Sequence, residues 1–206
     1  MKNYYHLKKS YADDIALCNN FLKDKIAEML ERRHKSIRYH YWDPVTLDVA
    51  GKLGNQLELL RDLTDSMLAI HHVNLFICKE GTVGGLHIDS ASDPRHCSIN
   101  LPLSGCELSE ILWVRADQFP VGQVDQRNGA RAGFPVGTDL NDPKDWDIVD
   151  SVGLDRTTMI RTDYWHTIDN RKNNLPRATL AFRLLGNPSY ESVYNQLNKN
   201  ELIETE

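Results

Sequence analysis

The first third of the chain carries its apolar residues at helical spacing. Ile15, Cys18, Leu22, Ile26 and Met29 recur every three or four positions and predict one amphipathic helix. Ser10, with Asp13 three residues on, suits its start, and the basic run Arg32, Arg33, His34, Lys35 suits its negative end. A second helix is predicted from about Gly54 to Ala69, carried by Leu57, Leu60, Leu63 and Met67. Both stripes read as core-facing surfaces.

From His71 onward the period shortens. HVNLFICKE, GGLHID, HCSINLPL, EILWVRA, WDIVDSVG, TTMIRT, WHTIDN and RATLAFRLL are short runs rich in β-branched and aromatic residues, separated by Gly, Pro, Asn and Asp. About eight strands in about 115 residues, with no helical period between most of them, predict a mainly β fold with N-terminal helices, a jelly roll or sandwich. The exception is the Gly- and Pro-rich stretch from Ala116 to Asp145. It predicts an irregular loop of functional length, a substrate lid. A short helix near Pro188 to Asn198 closes the chain. The organisation expected is one domain over 1–206. Residues 1–70 are its helical support, 71–187 its β core with 116–145 inserted, and 188–206 its C-terminal helix and tail.

Composition narrows the class of function. The 206 residues are 41% hydrophobic and 26% charged with net charge −5, so nothing forces the basic face that duplex nucleic acid needs. The four cysteines, Cys18, Cys78, Cys97 and Cys106, make no CxxC pair and read as reduced structural thiols. No stretch approaches a membrane span, and MKNYYHLKKS lacks the apolar centre of a signal peptide, so a cytoplasmic setting is the expectation.

His87-Ile88-Asp89 is the most informative triplet. Residues two apart on a strand point to one face, so an imidazole and a carboxylate can meet one ion. A third ligand is expected from His166, 79 residues downstream in another strand-like run. Two imidazoles and one carboxylate on one face of an octahedron leave three positions open, the donor set of non-haem iron(II) oxygenases. An HxD triplet alone also occurs by chance; the Gly-rich turn before it and the late histidine strengthen the case. The remaining histidines fit less well. His71 and His72 are adjacent and should face opposite ways, His96 reads as a turn residue, and His6, His34 and His40 lie in the helical region.

Arg177 follows His166 by eleven residues and shares a strand face with Thr179. A planar guanidinium beside a hydroxyl suits bidentate recognition of a carboxylate, such as the distal one of 2-oxoglutarate. Arg183 has the same parity and reads either as a second co-substrate ligand or, in preference, as a surface charge beyond the strand end. With HID, His166 and RAT in this order, the chain resembles the iron(II)/2-oxoglutarate-dependent dioxygenase superfamily over about residues 71–185. The HID…SINLPL…WH…R pattern looks broadly like its aspartyl/asparaginyl and phytanoyl hydroxylase branches, without deciding between them.

The resemblance implies a double-stranded β-helix (jelly roll, cupin-like). Fe(II) would sit on His87, Asp89 and His166, with 2-oxoglutarate on Arg177 and Thr179. A polar N-x-Y segment often precedes the HxD strand in that superfamily. Here it is Asn74-Leu75-Phe76, so Asn74 carries over as a co-substrate residue and the tyrosine hydroxyl is missing. Asn100, which shares a face with Ser98, is placed near the pocket. The implied reaction hydroxylates an unactivated C–H of a small molecule or amino-acid side chain, giving succinate and carbon dioxide. Asp163 and Asn170 are candidates to orient His166. The loop, Trp113, Tyr164 and Trp165 are candidate substrate contacts, Trp113 reading more readily as core. The acidic residues Asp117, Asp125, Asp139, Asp142 and Asp145 suit either a cationic substrate or a solvated surface. Two alternatives stay open: a cupin-type metal enzyme that does not use 2-oxoglutarate, and a non-catalytic binding domain on the same fold.

Overall fold

Helix α1 (Ala12–Arg33) forms where the apolar stripe predicts it, and Cys18, Leu22 and Met29 are buried with Ile15 and Ile26 packed beside them. Its start differs from expectation. Tyr11, at positive φ, accepts the first helical bond from Ile15 N at 2.9 Å, leaving Ser10 one residue outside. The acidic residue that matters is Asp14. Buried, it accepts from Glu58 N (2.9 Å) and Leu59 N (2.8 Å), so α1 caps helix α2 (Glu58–Asp65) across the sequence. Helix α2 is shorter than predicted. Met67 takes a left-handed conformation (φ 59°), and bonds from Leu68 N to Leu63 O and from Met67 N to Thr64 O end the helix. Met67 is therefore exposed and contributes nothing to the core.

The computed structural model describes residues 2–33, 52–84, 86–89, 96–115, 121–125, 131–135 and 146–204, the two short central segments by backbone only. His34, Lys35 and His40 lie outside the described residues. Among the described residues ten strands follow in chain order: β1 (Tyr4–His6), β2 (Ile70–Cys78), β3 (Cys97–Ser104), β4 (Glu110–Arg115), β5 (Val121–Asp125), β6 (Arg131–Pro135), β7 (Asp147–Gly153), β8 (Thr158–Arg161), β9 (His166–Asp169) and β10 (Arg177–Leu184). Helix α3 (Tyr190–Lys199), capped by the Ser189 hydroxyl on Ser192 N, ends the fold close to its predicted bounds.

The fold is mainly β. An antiparallel sheet of order β1-β8-β3-β10-β2 packs with an antiparallel sheet of order β7-β4-β9, consistent with a β-sandwich. Alternation on β10 explains the layers. Ala178, Leu180, Phe182 and Leu184 join Val73, Leu75, Ile77, Ile99 and Leu101 in the core shared with the helices. Arg177, Thr179, Ala181 and Arg183 take the opposite face. Part of the space between the sheets is filled by Ile111, Trp113, Val152, Leu154 and Ile160. The rest is lined by polar side chains of the large sheet.

Three expectations are corrected. The 116–145 stretch is not wholly irregular: β5 and β6 pair as an antiparallel hairpin, while 116–120, 126–130 and 136–145 lie outside the described residues, together with most of the acidic positions named above. Strand β1 was not anticipated, because three residues offer no period and the partner, β8, is about 150 residues away. HID is not a regular strand; it is held by an isolated antiparallel bridge between His87 and His166. All four cysteines are buried, with no disulfide among the described residues, and burial pushes the Cys18 and Cys97 thiols up to about 12.

Candidate metal centre

Backbone pairing brings the candidate ligands together. His87 N donates to His166 O at 3.0 Å, and His166 N returns a bond to His87 O at 2.9 Å. Directly paired residues project to one face, so the two imidazoles lie side by side with ring centroids 4.5 Å apart. Asp89, two residues on, is tied by its N–H to Thr162 O at 3.0 Å. Gly84 allows this close approach: a Cβ there would stand 2.8 Å from the Thr167 hydroxyl, which instead donates to Gly84 O at 2.7 Å. Behind the segment Leu86, Val114 and Trp165 form a small apolar cluster.

His87, Asp89 and His166 offer ligand atoms that all lie within 4.8 Å of one another. His87 Nε2 and Asp89 Oδ1 are 3.5 Å apart, near the roughly 3 Å between neighbouring donors that both bind one first-row ion at about 2.1 Å. His166 Nδ1 donates to the Tyr164 carbonyl at 2.7 Å, since a carbonyl only accepts. That bond fixes the tautomer and leaves the Nε2 lone pair for an ion.

Arg183 corrects the sequence reading. It is buried, and its Nη2 donates to Asp89 Oδ2 at 2.5 Å. Its Nη1 lies 3.5 Å from the Thr162 hydroxyl. Arg183 thus occupies one Asp89 oxygen and leaves Oδ1 on the side of His87. Burial alone would raise the Asp89 pKa, but the Arg183 guanidinium and the nearby His87 and His166 imidazoles outweigh it. They hold the carboxyl well below the usual carboxylate range. Burial, reinforced by His87, pushes His166 down to about 4. At neutral pH the site therefore presents a carboxylate and a neutral imidazole, the protonation a divalent cation requires.

Arg177 and Thr179 lie on the face of β10 that carries Arg183. Arg177 is only 3% exposed, its side chain makes no hydrogen bond or ion pair with any described residue, and its Nε is fully buried without an acceptor among them. Asn74 on β2 and Asn100 on β3 both stand opposite Ala181, flanking it on one face. Asn74 Oδ1 is buried without a partner among the described residues, and Asn100 Oδ1 accepts from the Ser98 hydroxyl at 3.0 Å. Phe76 stands opposite Thr179.

Other candidates settle elsewhere. Trp113 is core, its Nε1 donating to Arg161 O at 3.0 Å, and Trp165 is buried behind HID; Tyr164 alone of the three aromatics is exposed. Asp163 does not touch His166; the Tyr164 carbonyl does that work. Asn170 braces a turn instead, accepting from the Ser109 hydroxyl and donating to Lys79 O. His71 and His72 do not diverge. A register slip between Arg183 and Leu184 frees His71 from pairing, and the two Nδ1 atoms come within 2.6 Å. Comparison of the sequence with family models and with curated proteins finds no match to either.

Proposed function

We propose that this protein is an iron(II)- and 2-oxoglutarate-dependent oxygenase built on a double-stranded β-helix, acting on a small molecule or amino-acid side chain. The observation that carries the reading is Arg177. A buried guanidinium with no acceptor among the described residues is costly, and an anionic ligand beside it removes the cost. It lies on the strand face that leads to the His87–Asp89–His166 cluster. The nitrogen and carboxylate donors suit iron(II), and a dicarboxylate suits the polar face between the cluster and Arg177.

With dioxygen, the bound metal and co-substrate would supply the chemistry that yields succinate and carbon dioxide and hydroxylates an unactivated C–H. In this chain His87, Asp89 and His166 hold the ion, and Arg183 keeps Asp89 presenting one oxygen. Arg177 and Thr179 take the distal carboxylate in a charge-assisted pair, and Asn74 and Asn100 offer hydrogen bonds along the way. Ala181 between them leaves room on the sheet face. Reduced, buried thiols fit a cytoplasmic setting, and no helix among the described residues is long and apolar enough to cross a membrane.

The test is calorimetric titration of 2-oxoglutarate into manganese-loaded protein. Arg177→Ala should leave manganese affinity nearly intact and weaken 2-oxoglutarate by about 2–5 kcal/mol. Arg177→Lys should recover only part, since an ammonium lacks the planar fork. Wild-type 2-oxoglutarate affinity in Arg177→Ala would overturn the co-substrate assignment and leave the metal site standing.

A further inference from the structure

The two ligands His166 and Asp89 are gripped by one short stretch of chain between β8 and β9. Thr162 O accepts the Asp89 N–H at 3.0 Å, and two residues later Tyr164 O accepts the His166 Nδ1–H at 2.7 Å. Between them, Asp163 is tied from two sides and touches neither ligand. Arg161 Nε donates to Asp163 Oδ1 at 2.8 Å, and His96 Nδ1 donates to Oδ2 at 3.0 Å. His96 grips the same stretch a second time, its carbonyl accepting from Thr162 N at 3.1 Å. The Arg161 guanidinium lies over the rings of Tyr164 (5.4 Å) and Tyr190 (5.7 Å), the latter buried on α3.

We infer that Asp163 is a positioning residue: by knotting His96 to Arg161 it fixes the Arg161–Tyr164 stretch and, through Thr162 and Tyr164, sets Asp89 and His166 relative to one another. The two gripping carbonyls are two residues apart, so a shift of the stretch moves both ligands at once. Without the Asp163 carboxylate, the His96 ring and the Arg161 guanidinium lose their shared acceptor. The stretch then keeps its backbone bonds and the Trp113 bond to Arg161 O, but loses the carboxylate that joins the His96 ring to the Arg161 guanidinium. Partners of this kind orient ligands and tune a metal site without touching the ion.

This inference rests on the metal reading, and the experiment separates the two. Cobalt(II) is titrated into wild type, Asp163→Ala, Asp163→Asn and a stability control, Val193→Ala, which truncates a core residue of α3. Affinity, the visible ligand-field spectrum and the unfolding midpoint are read together. Asp163→Ala should weaken cobalt about tenfold and alter the spectrum. Asp163→Asn, which keeps an acceptor, should fall between it and wild type. Val193→Ala should lower the midpoint with unchanged affinity and spectrum. Wild-type affinity and spectrum in Asp163→Ala overturn the inference while the metal site stands. Failure of wild type to bind cobalt overturns both.

Discussion

Replacing Arg183 with Met keeps most of the buried stem and removes the charge that faces Asp89. Both residues are almost fully buried, and the pair is joined at 2.5 Å. Breaking such a pair from one side leaves an uncompensated buried carboxylate, which costs about 3–5 kcal/mol, a large part of the roughly 5–15 kcal/mol that holds a domain together. The loss comes from the orphaned charge, so Asp89→Asn should relieve it: the double variant should be more stable than Arg183→Met alone. A divalent ion supplies the missing charge by another route. Saturating manganese(II) should therefore stabilise Arg183→Met more than it stabilises wild type, with both Asp89 oxygens now open to the ion. Urea unfolding of the four proteins of the cycle, with and without manganese, measures each quantity. A loss below about 1 kcal/mol in Arg183→Met, or no recovery in the double variant, would refute the reasoning.

Three further outcomes are expected. Gly105 sits at φ 60°, where a Cβ would meet Pro176 O at 2.2 Å, so Gly105→Ala should shift the start of β10 at Arg177. It should lower stability by about 2 kcal/mol or more and weaken 2-oxoglutarate more than metal in paired titrations. Met67→Gly should raise stability by about 0.5–1 kcal/mol in urea melts, because the exposed side chain packs on nothing and its left-handed backbone favours glycine. The metal-free protein should lose about 3 kcal/mol of stability as pH falls from about 6.5 to about 4. The unfolded chain takes the His166 proton near its ordinary 6.5, whereas the folded one takes it only near 4. The Asp89 contribution has the same sense but a lower window, present above its usual value and lost only as pH falls below it. The window between about 6.5 and about 4 therefore belongs to His166 and, in part, to His6, which burial also lowers. His166→Gln should flatten the profile; an unchanged slope would count against that assignment.

What the sequence showed depended on how local each signal was. The α1 stripe, the alternation of Ile99 and Leu101 against Ser98 and Asn100, and the shared face of Arg177 and Thr179 are all fixed by spacing within one element. The structure keeps them. Arg183 was misread despite its parity, because its partner Asp89 is 94 residues away and a charge near a strand end ordinarily faces water. The Asp14 cap on α2, the β1–β8 pairing and the His96–Asp163 bond escaped for the same reason: each joins residues 44 to 156 positions apart that carry no mutual pattern. Helix α2 was overextended because Met67 continues the apolar period while its backbone leaves it. His71 and His72 were expected to diverge, and only the strand slip beside Leu184 brings them together.

The most direct test of the central claim is anaerobic addition of iron(II) and 2-oxoglutarate, watched for the weak visible charge-transfer band of the chelated co-substrate. The band should appear only when both are present, and should be lost in His166→Ala and shifted to much higher 2-oxoglutarate in Arg177→Ala. Iron binding by wild type with no band at any 2-oxoglutarate concentration would contradict the account.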